Sequence, residues 1–121
     1  MDGKSPSRSF RDVDVWKRAH QWVLGVYCTT TQFPAHEMHG ITGQLRRAAV
    51  SVPMNFAEGF RKRTKSEKAR YYNIAQASLD ECEYALILAR DLRYADTREL
   101  LHEADEIARM LDCYVSAMLR S

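Results

Sequence analysis

Apolar residues recur along this chain at steps of three and four, the period that puts them on one face of a helix. Trp16, Ala19, Val23, Val26 and Thr30 form the first such stripe, widened by Trp22 and Tyr27, with Phe33 beyond. Ile41, Leu45, Ala48, Ala49, Val52 and Phe56 form the second. The third is the broadest. One line runs Tyr71, Ala75, Ser78, Cys82, Ala85, Ala89, Leu92 and an adjacent line runs Tyr72, Leu79, Leu86, with Ile74, Ile87 and Leu88 outside both. Leu100, Ala104, Ile107, Leu111, Tyr114 and Met118 make the fourth. No strand pattern and no internal repeat interrupts them. Four long helices with short connections predict an all-α fold, an antiparallel up-down-up-down four-helix bundle. The expected helices cover roughly 13–32, 41–60, 65–93 and 97–119, in one domain over 10–121.

Local signals punctuate this pattern. Met1 to Ser9 is polar, with Gly3 and Pro6, and reads as a disordered tail; Phe10 is placed to fold back onto the bundle. Asp12 or Asp14 can cap the first helix. Phe33-Pro34 ends it, because the residue before a proline is pushed out of helical geometry. Gly59 is a helix terminator for the second. Thr64 with Glu67 reads as a capping box opening the third helix, and Asp96 with Glu99 as a similar pair before the fourth.

Pro53 breaks a rule inside the second helix. A proline there removes a backbone donor and crowds the carbonyl four residues back, that of Ala49, at a cost of roughly 3 kcal/mol. The expectation is a proline-bent helix with Ser51, Asn55 and Glu58 as a polar cluster at the bend. Small residues before it, Ala48, Ala49 and Ser51, admit a close neighbour.

Charge changes the picture more than composition does. The net charge is only +2, yet residues 1–70 hold 13 Lys/Arg against 6 Asp/Glu, and residues 71–121 hold 5 against 10. A basic half and an acidic half suit nucleic acid, or two copies meeting head to tail. The basic charge is densest in Arg61-Lys62-Arg63-Thr64-Lys65-Ser66-Glu67-Lys68-Ala69-Arg70. Arg61, Lys62, Arg63, Lys65, Lys68 and Arg70 are candidate phosphate contacts, with Tyr71 and Tyr72 beside them as candidate stacking platforms. The plainer reading is a solvated helix start with both tyrosines in the core, which their place in the apolar stripe favours. One of Arg46 and Arg47 is expected to reach a carboxylate, Glu58 or one from a neighbouring subunit.

Catalytic and metal chemistry find little support. Ser51 has no nearby histidine and no nucleophile elbow. Glu99-Leu100-Leu101-His102 has the spacing of a di-iron half-site, but such sites need two pairs and two further glutamates. His36-Glu37-Met38-His39 lacks the second histidine at the fourth position, where Gly40 stands. Neither a metal, a cofactor nor a small-molecule substrate is expected, and the chain reads as no enzyme. Cys28, Cys82 and Cys113 are odd in number and widely spaced, which fits reduced thiols of a cytoplasmic protein. No run of about 18 apolar residues and no signal-peptide core is present, so no membrane partner is expected.

The run Gln44-Leu45-Arg46-Arg47-Ala48-Ala49-Val50-Ser51-Val52-Pro53-Met54-Asn55-Phe56-Ala57-Glu58-Gly59 resembles the signature of a bacterial four-helix-bundle family that includes proteins encoded in intervening sequences of 23S rRNA genes. Asp12-Val13-Asp14-Val15-Trp16, Phe33-Pro34, Ile74-Ala75, Ser78-Leu79-Asp80-Glu81 and Ala89-Arg90-Asp91-Leu92 support it, so the resemblance covers nearly the whole chain after the tail. Phe56 replaces a usual Ile and Ala77 a usual Gly, changes that touch helix spacing rather than fold. The resemblance implies a closed bundle assembled into a ring, a homopentamer. It is also similar to the accessory bundle protein of diversity-generating retroelements, which partners a reverse transcriptase and binds nucleic acid through a basic surface. Two functions follow as expectations. One is an oligomeric, non-catalytic adaptor for structured RNA or a ribonucleoprotein. The other is a scaffold ring that docks a partner enzyme without nucleic acid.

Overall fold

The computed structural model describes residues 9–121. Most of the expected tail therefore lies outside the described residues; Ser9 belongs to the fold, its hydroxyl accepting from the Arg11 amide at 3.2 Å. A short 3₁₀ turn, Phe10–Asp12, leads into four long helices: α1 (Asp14–Thr30), α2 (Ile41–Arg61), α3 (Lys65–Asp91) and α4 (Arg98–Arg120). A second 3₁₀ turn, Ala35–Glu37, lies between α1 and α2. No strand occurs among the described residues. No helix among them is long and apolar enough to cross a membrane.

Each helix buries the stripe its sequence marks. Leu45, Ala49, Val52 and Phe56 of α2 meet Ala75, Leu79, Cys82 and Leu86 of α3 in a single core completed by α1 and α4. The helices neighbour one another in a cycle: α1 packs on α2 and α4, and α3 on α2 and α4, with the most extensive contact between α2 and α3. Small side chains allow that closeness, as Ser51 Oγ lies 2.8 Å from Ser78 Oγ. Burial pushes the Cys82 thiol up to about 12, so it behaves as a small apolar filler.

Aromatic groups weld three helices at one end. Phe56 of α2, Tyr72 of α3 and Tyr114 of α4 have ring centroids 5.1 to 5.6 Å apart. Elsewhere, buried Trp22 of α1 donates its indole N–H to the Leu100 carbonyl of α4 at 3.0 Å. Gly25, one turn on, leaves room for Leu100: a Cβ there would stand 3.2 Å from its Cδ2.

Two helix starts differ from expectation. Val13 precedes α1 with no side-chain cap, so neither Asp12 nor Asp14 fills that role. Before α4, Asp96 accepts from the Arg98 amide at 3.1 Å and pairs with its guanidinium, which holds the Asp96 carboxyl down at about 2. The residue at the cap position is Thr97, whose hydroxyl is drawn away to the Leu86 carbonyl of α3 at 2.9 Å. A tertiary bond has displaced the local one. At the start of α3 Thr64 does cap, accepting from the Glu67 amide at 3.1 Å; the Glu67 carboxylate bonds the Thr64 hydroxyl rather than its amide.

Candidate nucleic-acid interface

A glycine builds the basic corner. Gly59 is buried within the last turn of α2, where a Cβ would lie 2.6 Å from Tyr72 Cε1 and 3.1 Å from Tyr71 Cβ. Gly59 does not terminate the helix; α2 continues to Arg61 and Lys62 follows in extended backbone. What the glycine supplies is close approach. The tyrosines of α3 lie against the α2 backbone, and Lys62 to Thr64 join the two helices there.

The two adjacent tyrosines have opposite fates. Tyr72 is 1 % exposed, stacked on Phe56, and burial pushes its phenol upward. Its hydroxyl has no hydrogen-bond partner among the described residues, and it offers no platform to a base. Tyr71 is half-buried, with Lys62 Nζ 5.1 Å and the Arg70 guanidinium carbon 5.8 Å from its ring centre. These are cation–π distances, so the visible part of the ring carries two positive neighbours.

The six candidate cations divide by what they touch. Lys68 donates to the carbonyls of Gly59 at 3.3 Å and Phe60 at 2.8 Å, closing the end of α2. Burial holds its ammonium below the usual lysine range. Lys65 donates to the carbonyls of Leu119, at 3.4 Å, and Ser121 at the end of α4. Both lysines sit at the positive start of their own helix but face the negative ends of two others, so the macrodipole cost is offset inside the molecule. Lys62 and Arg70 flank Tyr71. Arg61 and Arg63 are exposed and engaged by no side chain or backbone carbonyl among the described residues. The closest carboxylate–cation pairs among the described residues involve none of the six.

The expected polar cluster at Pro53 is partly assembled. Asn55 donates its amide N–H to the Ser51 carbonyl and to Ser51 Oγ, both at 2.8 Å, and Ser51 in turn meets Ser78. These bonds converge on Ser51 rather than on the Ala49 carbonyl that the proline leaves short. Glu58 stands outside the cluster: it is exposed and makes no hydrogen bond among the described residues, because position 58 falls on the solvent side of α2. Pro53 itself is buried within a helix that continues unbroken on both sides.

Arg46 reaches no carboxylate either. It donates to the Thr30 hydroxyl at 2.8 Å and lies 4.8 Å over the Tyr27 ring, closing the end of α1. With Arg47, Val50, Ser51, Met54 and Asn55 it lines a cavity of about 420 Å³. Among the described residues no group of three or more His, Cys, Asp or Glu side chains is arranged to hold a metal ion. His102 lies 3.8 Å from Glu106, not Glu99.

Sequence reasoning did not find Ser78 as the partner of Ser51, nor the helix-end roles of Lys65, Lys68 and Arg46. It also missed Glu37, which accepts from the Tyr94 hydroxyl at 2.7 Å and from the Ile41 amide at 3.2 Å. Those bonds, the phenol's foremost, hold the Glu37 carboxyl below its ordinary range. A lysine or glutamate within four residues of a helix end is the one local signal available for any of these.

Residues 11–113 match the sequence profile of a family described as 23S rRNA-intervening sequence protein. The chain belongs to that family. No curated protein matches the chain. The span matched to the 23S rRNA-intervening sequence proteins includes all of α1, α2 and α3, the whole basic corner and the Ser51–Asn55–Ser78 cluster. It also takes in α4 as far as Cys113, so the cycle of packed helices and the cations it displays belong to one family unit.

Proposed function

We propose that this member of the 23S rRNA-intervening sequence family is a non-catalytic, oligomeric adaptor that binds structured RNA or a ribonucleoprotein through the corner between α2 and α3. The observation that carries this reading is the pair Arg61 and Arg63, exposed and without a carboxylate among the described residues, beside Tyr71 with its two flanking cations. Unneutralised cations around a half-open aromatic ring suit a phosphate backbone with an unstacked base. The Ser51 hydroxyl is already bonded to Ser78 and Asn55, which supports a structural rather than nucleophilic role for it.

The reading includes an antiparallel up-down-up-down bundle bent at Pro53, assembled as a cytoplasmic ring, a homopentamer by resemblance. Pairings such as Ser51 with Ser78, Phe56 with Tyr72 and Gly59 with Lys68 support opposite directions for α2 and α3. A scaffold ring that docks a protein without nucleic acid is the second reading, favoured by the outward Met54 and Tyr84, 61 % and 66 % exposed.

The test is fluorescence anisotropy with a labelled RNA hairpin across a salt series. Arg61→Glu/Arg63→Glu is expected to weaken binding at least tenfold at moderate salt and to flatten the log–log salt slope by about 2. Unchanged RNA binding in that variant overturns the RNA reading. Recovery of a protein partner that survives nuclease treatment, with no RNA bound, favours the scaffold.

A further inference from the structure

Three cavities adjoin along the outer seam of α1 and α2, and Met54 lines all of them. The middle one is almost wholly apolar, walled by Phe10, Trp16, Val23, Val50 and Pro53. Its neighbour on one side carries Arg46 and Arg47; its neighbour on the other carries Arg61 together with Glu58. The seam is an apolar groove with a cationic end at Arg46 and Arg47 and a mixed end at Arg61 and Glu58. Arg46 is engaged by Thr30 and Tyr27, whereas Arg47 is exposed and meets no carboxylate among the described residues.

The outer face of α3 has the opposite character. Tyr84 and Ile74, 66 % and 39 % exposed, stand on either side of Asp80 and Glu81. Both carboxylates are exposed and have neither a cation nor a hydrogen-bond donor among the described residues. The spacing also agrees. Arg47 precedes Met54 by seven residues, and Ile74 precedes Glu81 by seven. Each step is about 10 Å along a helix axis, so one placement of the two helices, running in opposite directions, satisfies the ion pair and the apolar contact together.

We propose that the groove between α1 and α2 receives the outer face of α3 from a second copy of the chain, with Asp80 and Glu81 of that copy against Arg47. This rests on the oligomeric reading above and specifies its contact surface. Groove and face are different parts of the chain, so the contact is heterologous and repeats head to tail, closing into a ring if the rotation permits. It also gives the uneven charge of the two halves a use: beyond the Arg18–Glu106 pair inside one chain, further basic and acidic groups meet between copies.

Sedimentation velocity on the full chain tests this, with circular dichroism to confirm that each variant folds. Arg47→Glu alone, and Asp80→Lys/Glu81→Lys alone, are each expected to raise the dissociation constant of assembly about tenfold or more. Combining them is expected to bring it back to within about threefold of the parent, because the reversed charges again face each other. Tyr84→Ser is expected to weaken assembly without any change of charge. A parent chain that stays monomeric at every accessible concentration sinks the oligomeric reading itself. A parent that assembles, with reversals that change nothing, leaves that reading intact and overturns this surface. Reversals that weaken assembly but are not rescued in combination overturn the pairing of Arg47 with the α3 carboxylates. Assembly by the parent only when a different protein or a lipid vesicle is added assigns the groove to that occupant and overturns the second copy.

Discussion

The two ends of the helix cycle handle charge in contrasting ways. Where α1 runs into α2 and α3 into α4, Glu37 is occupied on both oxygens, by Tyr94 and by the Ile41 amide, and Asp96 is occupied by Arg98. These two carboxylates are used up in the connections between helices. Where α2 turns into α3, two lysines are consumed by helix-end carbonyls, yet Arg61 and Arg63 remain unengaged among the described residues. Charge spent on the fold and charge left for a partner are therefore separable residue by residue, even inside a run of six cations.

Gly59→Ala is the strongest way to break the corner. A methyl group 2.6 Å from the Tyr72 ring must displace it, and overpacking of this kind costs about 1–3 kcal/mol; urea denaturation reads it directly. The near-UV signal of the tyrosines is expected to change with it.

Lys68→Ala against Arg61→Ala sharpens the division between the cations. The first leaves the Phe60 carbonyl at the end of α2 without its donor, while the Gly59 carbonyl keeps the Lys62 amide, and is expected to cost about 1 kcal/mol of stability. The second is expected to stay within about 0.5 kcal/mol, as for most surface changes, while lowering RNA affinity. Equal stability losses in the two variants would show that the division is false.

The smallest effect belongs to the other end. Glu37 is held below its ordinary value of 4.5, chiefly by the Tyr94 hydroxyl, so the folded state favours its carboxylate. Its contribution to stability is present above about pH 4.5 and is lost as pH falls through the lower folded value. Urea midpoints of the parent and of Glu37→Gln are expected to differ at pH 6 and to converge towards pH 3. A gap that stays constant across that range removes Glu37 from the account.

The helices were legible in the sequence because burial imposes a period of three to four, and stripes such as Leu45–Ala49–Val52–Phe56 carry it openly. The basic corner was legible as a place. Its internal order was not, because Lys65 finds its carbonyls 54 and 56 residues away. Tyr71 and Tyr72 looked alike for a related reason: neighbouring helical positions differ by about 100°, and only the site of the next helix decides which one is covered. The Asp96–Glu99 pattern misled because Thr97 had a better tertiary partner in the Leu86 carbonyl. Leu92 fits the α3 stripe yet is 48 % exposed, since α3 ends at Asp91 and the stripe outlasts the helix.

The missing side chain at Gly59 has a reach beyond packing. With two aromatic residues pressed on its backbone, the turn that carries Arg61, Lys62 and Arg63 is anchored before anything binds. A polyanion arriving there meets guanidinium groups whose backbone is already fixed, so less ordering entropy is lost on association.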